Sequence, residues 1–248
     1  NVSVVADTFM IRRTGDDVGI VLPPLVRHVV PVAWETPEEK QLAEDIHALL
    51  RFSNVLSRRD PGEALPPHHF SILQQARQSC IDCTLLAKAI ESLRSAGVID
   101  ARVPDNIHLS GRSKMNAVVA TLLERPRERK KLVFCHYRKE IDELVNRLSE
   151  GGLRVASFDG RISLADRKSA LSRDDVDVLV LQIKTGCEGL NLQQFAEVFF
   201  VTPHWNPAVE DQAVARCYRQ GQEQRVDVFV FQMDPFDDER VTKTLDLY

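Results

Sequence analysis

Short apolar segments alternate with amphipathic segments along the second half of the chain. Residues 132–135 are continuously apolar and predict a buried strand, and the next segment repeats apolar residues at helical spacing until Gly151 and Gly152. Similar runs predict four more strands: Arg154–Phe158, Val176–Leu181, Val198–Val201 and Val226–Phe231. Strands that alternate with helices predict an α/β fold, a doubly wound parallel sheet with helices on both faces.

Capping residues place two helices within this half. Asn206 is a preferred N-cap residue, and Pro207 lacks the N–H that the first helical turn leaves unpaired. A helix is therefore predicted to begin after Asn206 and to end at Gly221. Ser163, with Asp166 three residues later, predicts a second, shorter helix with its own cap.

The first 110 residues predict helices and no strand. Thr36 and Glu39 have the spacing of a capping box, in which each side chain satisfies the backbone N–H of the other residue. Residues 70–93 predict one long helix or two shorter ones, whereas the segment before residue 34, with its paired prolines, predicts an extended connector. The pattern indicates a helical appendage that precedes the α/β domain.

Composition and charge indicate a globular protein. The 248 residues have a net charge of −4 and a hydrophobic fraction of 44%, which is ordinary for a globular protein with a sizeable core. No run approaches the roughly 18 apolar residues of a membrane span, and the first residues lack the pattern of a signal peptide. Five scattered cysteines predict reduced thiols in an intracellular protein, and a start without Met suggests a piece of a longer polypeptide.

Two short segments each allow two interpretations. Cys80 and Cys83 have the spacing of half a zinc site, but no second pair follows, so two small residues on a buried helix face are favoured. The basic run Arg125–Lys131 is either a solvated loop or a contact to a nucleic-acid backbone.

The segment around residues 205–222 carries the most informative chemistry. Gln212, Arg216 and Arg219 are spaced by four and three residues, which predicts that they project from one face of the same helix. Clustered guanidinium groups suit an oligophosphate, because each binds phosphate as a two-pronged fork and stays charged. The alternative is an ordinary surface helix whose arginines pair with acidic neighbours: Glu210, Asp211 or Glu223.

The segment Lys184–Leu192 follows a predicted strand and adds a second candidate contact. It lies at the carboxyl end of a parallel strand, where α/β sheets bind ligands. Gly186 and Gly189 allow backbone N–H groups to approach phosphate, Thr185 offers a hydroxyl and Lys184 a charge. Such contacts address the backbone of a nucleic acid and not its bases.

Taken in order along the chain, these segments resemble the second RecA-like lobe of the Swi/Snf family of superfamily-two ATPases. The segments that carry the resemblance are Phe158–Gly160 with Arg167, Lys184–Gly186, Gly189–Leu192, Trp205–Pro207, Gln212-Ala213, and Arg216 with Arg219 and Gly221-Gln222. Upstream, Phe9–Thr14 and Leu22–Pro24 resemble the link between the family's two lobes, and Arg77–Cys80 resembles its helical protrusion. The resemblance implies four regions: an interlobe connector (1–33), a helical protrusion (34–111), RecA-like lobe 2 (112–234) and a C-terminal extension (235–248).

The resemblance implies an ATP-driven motor on double-stranded DNA, with ATP and Mg bound mainly by a first lobe of the same polypeptide. It assigns roles by position: Arg219 and Arg216 are catalytic arginine fingers, Gln212, Gly189 and Asn191 contact ATP, and Lys184, Thr185, Gly186, Trp205 and Asn206 contact DNA. A nucleosome or another DNA-bound protein is the implied further partner, in the nucleus of a eukaryote or another compartment that contains DNA, and no membrane is involved.

Two features limit what this chain is expected to do. It contains no G-x-x-x-x-G-K-[ST] segment, so we predict that it does not hydrolyse ATP alone. It also departs from the family at Ala215 and Cys187, where Gly is usual, and at His204, where Trp is usual, while Glu188 adds an acidic group to the candidate DNA loop. The alternatives that stay open are a strand-separating helicase and a lobe kept as a non-catalytic scaffold.

Overall fold

The computed structural model describes residues 19, 21–49, 69–86, 91, 95, 111–159, 175–186 and 190–236. Six strands form one sheet in the order β1-β6-β5-β2-β4-β3, and every neighbouring pair is parallel. The strands are β1 (Leu25–Val32), β2 (Lys131–Cys135), β3 (Val155–Phe158), β4 (Val178–Gln182), β5 (Glu197–Phe200) and β6 (Val226–Met233). The helices are α1 (Pro37–Leu49), α2 (His69–Ser79), α3 (Ser113–Glu124), α4 (Arg138–Glu150), α5 (Ile183–Gly186) and α6 (Pro207–Val214), with a 3₁₀ turn at Cys83–Leu86.

The core has two layers, one on each face of the sheet. On β2, Val133 packs into the layer that α3 and α4 cover, whereas Leu132 and Phe134 pack into the layer that α6 covers. Successive side chains of a strand point to opposite faces, so a strand covered on both sides must be apolar throughout. The predicted parallel α/β sheet with helices on both faces is therefore confirmed.

The sequence pattern missed one strand of the sheet. Residues 25–32, interpreted as part of a connector, form β1 and pair in parallel with β6 along its whole length, from Leu25 beside Val226 to Val32 beside Met233. Pro31 stands within this strand, and proline is tolerated there because β1 lies at the edge of the sheet that the described strands form, where one side of its backbone pairs with none of them.

The helix predicted to run to Gly221 ends seven residues earlier. Helix α6 begins after Asn206, as predicted, but its last residue is Val214. Beyond it the backbone N–H groups of residues 216 and 217 donate to carbonyls only three residues back, which tightens the chain into turns. Gly221, at a φ of +96°, closes these turns and does not end a helix. The prediction that Gln212, Arg216 and Arg219 share one helix face is therefore wrong.

The capping box predicted at the start of α1 forms only in part. Thr36 Oγ1 accepts a hydrogen bond of 3.2 Å from Glu39 N, as predicted. The Glu39 carboxylate does not return to Thr36, however, and accepts from Ser113 N at 3.1 Å and from the Ser113 hydroxyl. Glu39 therefore joins α1 to α3, which fixes the appendage against the sheet domain.

The remaining predictions concern two helices, the Cys80–Cys83 pair and membrane spans. Helix α2 and the 3₁₀ turn account for the beginning of the predicted 70–93 helix, and the short helix predicted at Ser163 and Asp166 lies outside the described residues. Cys80 and Cys83 are buried, although both follow α2 and do not lie on it. Within the described ranges, no group of His, Cys, Asp and Glu could hold a metal ion, and every helix is too short or too polar to cross a bilayer.

Candidate functional site

The carboxyl edge of the sheet holds the first group of predicted site residues. Lys184, Thr185 and Gly186 follow β4 directly, but they form the helical turn α5 and not the predicted loop. The Lys184 side chain is exposed and forms no ion pair with any described residue. Gly189, together with Cys187 and Glu188, lies outside the described residues.

Trp205 and Asn206 lie at the same edge, after β5. The Trp205 side chain is 50% exposed, so one part of its ring is open to a ligand. Asn206 Oδ1 accepts a hydrogen bond of 3.0 Å from Ala208 N and caps α6. Strand β2 separates β5 from β4, so two strand spacings of about 4.8 Å each separate the ends of the strands that carry the two groups.

Arg77, the basic residue in the last turn of α2, contacts the segment that contains Trp205. Its guanidinium carbon lies 4.6 Å from the centroid of the Trp205 ring, and its Nη2 donates to the carbonyl oxygen of Pro203. The sequence marked Arg77 only as part of the helical appendage and gave no sign of this contact, which spans 126 residues of chain. The appendage therefore helps to place a candidate DNA contact.

Buried polar side chains lie beneath this edge. Burial, followed by the nearby charge of Arg77, lowers the pKa of His136 to about 3, so the imidazole is neutral at pH 7. Burial also raises the pKa of Glu140 to about 7, although its Oε2 accepts hydrogen bonds from His136 N at 2.9 Å and Tyr137 N at 3.0 Å. The edge thus favours the uncharged forms of both groups, because burial penalises the charged form of each.

Arg216 and Arg219 lie in the turns that follow α6. Arg216 is half-buried, and its Nε is buried with no hydrogen-bond partner in the described part of the chain, whereas Arg219 is exposed. Neither arginine takes part in any ion pair between described residues. The alternative that Glu210, Asp211 or Glu223 pairs with them has no support among the described residues, where Arg27 lies 2.5 Å from Asp211 and 3.8 Å from Glu210.

Gln222 fastens this turn to the segment that precedes β5. Its Nε2 lies within hydrogen-bonding distance of three carbonyl oxygens, those of Gln193 at 2.9 Å, Phe195 at 3.2 Å and Cys217 at 3.2 Å. Gly221 adopts a φ of +96°, a backbone conformation that L side chains rarely take, so the turn favours glycine at this position. Gln222 and Gly221 therefore hold the arginine turn in one place.

The structure divides the predicted site residues into two groups, one beyond each end of α6. Arg216 lies beside the segment that contains Asn191, since its carbonyl accepts from Leu192 N at 3.0 Å. Lys184 and Trp205 lie at the carboxyl edge, beyond the other end of a helix that is about 12 Å long. Gln212 is exposed on α6 itself, between the two groups.

The basic run Arg125–Lys131 is more than a solvated loop. Arg125 Nη2 lies 2.5 Å from a carboxylate oxygen of Glu197, and Arg129 Nη1 lies 2.9 Å from one of Asp227. Both carboxylates are buried, so these arginines anchor the loop to the sheet. Only part of the run is a solvated loop.

Comparisons with known proteins agree with this geometry. Residues 113–221 match the helicase conserved C-terminal domain. The chain is also 35% identical, over 125 residues, to the DNA repair protein RAD5 of Candida glabrata, a match that covers 46% of this chain and 11% of that protein. The expected resemblance to a Swi/Snf-type helicase lobe is thus confirmed. The chain spans about one-tenth of this relative's length.

Solved structures show the same fold for this lobe. The Sulfolobus solfataricus SWI2/SNF2 ATPase core in complex with dsDNA matches it with a TM-score of 0.59 and 23% identity, over 94% of this chain and 46% of that one. The Pyrococcus furiosus Hef helicase domain matches with a TM-score of 0.63 and 18% identity, over 92% and 60%. The expected RecA-like lobe is thus confirmed, whereas at these identities the likeness supports the fold alone.

Proposed function

We propose that this lobe is the C-terminal half of the motor of an ATP-dependent double-stranded DNA translocase. In this proposal Arg216 and Arg219 reach the phosphates of an ATP that a first lobe presents. The observation that carries the proposal is the absence of any carboxylate partner for either arginine among the described residues, although acidic residues lie nearby in sequence. Guanidinium groups that no carboxylate of the described ranges pairs with, in a turn that Gln222 fastens, suit an oligophosphate that comes from outside the lobe.

The residues around the turn fit the triphosphate of ATP. The buried Nε of Arg216 lacks a partner within the described ranges, and a phosphate oxygen would supply one. Gln212, Asn191 and Gly189 complete the proposed contacts from this lobe. ATP with Mg brings the phosphoryl group that is transferred, and the two arginines would stabilise the negative charge that develops on it.

The carboxyl edge is the proposed DNA contact. Lys184 offers an exposed charge that pairs with no described carboxylate, and Trp205 offers an exposed ring. The backbone of Thr185 and Gly186 follows Lys184, and Asn206 is one residue beyond the ring. Support comes from the Sulfolobus SWI2/SNF2 ATPase core, whose structure contains dsDNA, and from the RAD5 relative, a DNA repair protein. The proposed partners are duplex DNA, a first RecA-like lobe and a DNA-bound protein such as a nucleosome, inside the cell.

The test of the proposal is ATP hydrolysis by a polypeptide that contains both lobes. Arg219→Ala is expected to lower the DNA-stimulated kcat by about 10³–10⁵, with a small change in KM for ATP, because the charge is needed mainly in the transition state. Arg154→Ala is the matched control: Arg154 is also an exposed arginine, but it pairs with Asp177 within the lobe. Full activity of the Arg219 variant would refute the proposal.

Two further measurements separate the alternatives. A strand-displacement assay distinguishes a translocase, which moves along duplex DNA without opening it, from a strand-separating helicase. The 248-residue chain alone should hydrolyse no ATP, and hydrolysis that Arg219→Ala abolishes would contradict that expectation. A two-lobe protein with no DNA-stimulated hydrolysis at all would favour the scaffold alternative.

A further inference from the structure

A second concentration of positive charge surrounds an open cavity at the opposite, amino edge of the sheet. The cavity has a volume of about 730 Å³, and it lies where β5 and β6 begin. Its lining residues are His28, Arg125, Arg129, Gln224, Arg225, Asp227 and Phe229. None of them belongs to the candidate site described above.

The charges around the cavity are layered. The carboxylates of Glu197 and Asp227 form the base, and their side chains are 0% and 4% exposed. The arginines lie above them, and Arg225 is the most open, with 54% of its side chain exposed. Solvent therefore meets guanidinium groups first, and the negative charges are covered.

The cations outnumber the carboxylates that hold them. The three arginines of the cavity share two carboxylates, those of Glu197 and Asp227, which leaves one positive charge in excess. Lys131, whose Nζ lies 4.0 Å from Glu197, is not included in this count. Burial acts to raise the pKa of Asp227, but hydrogen bonds from His28, Arg129 and Arg225 outweigh it and bring the pKa down to about 2. The Asp227 carboxylate therefore stays ionised at neutral pH and keeps its arginines in place.

Two of these arginines keep donors for a further ligand. Arg125 uses Nε and Nη2 on Glu197, and Arg225 uses Nε and Nη2 on Asp227. The Nη1 group of each has no hydrogen-bond partner among the described residues. Arg129 is different, because its two terminal nitrogens donate to Asp227 and to the carbonyl oxygens of Ala196 and Arg225.

An aromatic ring fixes the position of one of the free donors. The Arg125 guanidinium carbon lies 4.4 Å from the centroid of Phe229, and the His28 ring stacks on Phe229 at 4.7 Å. A guanidinium that is stacked and ion-paired loses little further freedom when it binds a ligand, which favours binding.

We propose that this cavity binds a phosphate-type oxyanion, between Arg125 and Arg225. A tetrahedral oxyanion matches the fork of a guanidinium and would satisfy the excess charge. Its source is either a free anion such as pyrophosphate or the phosphodiester backbone of a nucleic acid. The inference does not depend on Arg216 and Arg219, so failure of the proposed function would leave it standing.

The experiment titrates the 248-residue chain with pyrophosphate and follows the Nε–H signals of its arginines by NMR. The signals of Arg125 and Arg225 should shift in a saturable way, and Arg225→Gln should weaken binding about tenfold, because a charge-assisted contact is lost. Arg154→Gln is the matched control, since Arg154 is 60% exposed beside Asp177, which is 4% exposed, and no other described arginine forms an ion pair with that carboxylate. The control variant should bind pyrophosphate as the parent chain does.

A second titration with a short DNA duplex identifies the source. Duplex binding in which Arg225→Gln reduces the dependence of log K on log salt by about 0.9 would assign the site to a nucleic-acid backbone. Pyrophosphate binding without this effect would assign it to a free anion. Absence of shifts at Arg125 and Arg225 in the folded parent chain, or equal weakening by both substitutions, would overturn the proposal.

Discussion

The two edges of the sheet differ in how they accommodate buried ionisable side chains. At the amino edge, the buried carboxylates of Asp177, Glu197 and Asp227 all meet arginines within 2.5 to 2.9 Å. At the carboxyl edge, burial of Glu140 and His136 displaces each pKa toward the uncharged form. The amino edge therefore keeps these groups charged by pairing them, whereas the carboxyl edge favours their neutral forms.

The difference indicates where ligands can act. Where arginines are bound to carboxylates of the lobe itself, most of their charge is already used, and only the excess at Arg125 and Arg225 is available. The carboxyl edge has no such network among its described residues, so its exposed Lys184 and Trp205 are free to meet a partner. The arginine turn after α6 resembles the carboxyl edge in this respect, because its guanidinium groups also pair with no carboxylate in the described part of the chain.

Removal of a carboxylate from the amino edge should have the largest effect on stability. Asp227→Ala leaves His28, Arg129 and Arg225 without their shared partner, and it should lower the free energy of unfolding by about 3 kcal/mol. Urea denaturation at pH 7 measures this change. The contribution of Asp227 is present above its ordinary pKa of 3.8 and is lost as the pH falls through about 2.

An exposed ion pair supplies the control for this experiment. Asp211 also lies 2.5 Å from an arginine, Arg27, but its side chain is 68% exposed. Asp211→Ala should therefore change the free energy of unfolding by less than about 1 kcal/mol. Similar losses in the two variants would show that the amino edge is not a buried ion-pair network.

The groups at the carboxyl edge should make the free energy of unfolding depend on pH. The pKa of Glu140 is about 7 in the folded chain and 4.5 ordinarily, so the folded state keeps a proton that the unfolded state loses. Its contribution to stability is therefore present below pH 4.5 and lost as the pH rises to about 7. His136 acts in the opposite sense, because its pKa of about 3 in the folded chain makes stability increase between pH 3 and 6.5.

Glu140→Gln separates these two opposed contributions. The amide oxygen can still accept from His136 N and Tyr137 N, but the group no longer titrates. The variant should gain on the order of 2 kcal/mol over the parent chain between pH 4.5 and 7.5. Glu150→Gln, an exposed change at the end of the same helix, should show no such gain. A constant difference between parent and Glu140 variant would contradict the pKa shift.

The fold was predictable where the local pattern and the final environment agree. Five strands were predicted from runs rich in apolar residues. Of these, β2, β4 and β5 are apolar except at their first or last residue, which suits a strand covered on both faces, whereas polar residues interrupt β3 and β6. The sixth, β1, has exposed positions at Arg27, Val29 and Pro31 because it lies at the edge. Its identity as a strand depends on pairing with β6, nearly 200 residues away, and no local pattern contains that information.

In the candidate site, too, local sequence motifs were predictable, whereas contacts between distant residues were not. Motif spacing identified Arg216 and Arg219, but the helix that should have carried them ends at Val214, because Gln222 binds carbonyls of the preceding segment and holds the chain in turns. The contact of Arg77 with Trp205 and the pairing of Arg125 with Glu197 join distant parts of the chain. Such partners become visible only once the fold brings them together.

The smallest expected effect concerns Asn206, where a structural role and a ligand role can be separated. Asn206→Ala removes the hydrogen bond to Ala208 N and should cost about 1 kcal/mol of stability, measured by urea denaturation. Asn206→Asp keeps an acceptor at the helix N-terminus and should cost nothing. If Asn206 also lies against a DNA backbone, the aspartate will repel it, so Asn206→Asp should weaken duplex binding while stability is unchanged. Duplex binding that follows stability in both variants would instead show that Asn206 acts only as a cap, and that the contact at the carboxyl edge rests on Lys184 and Trp205.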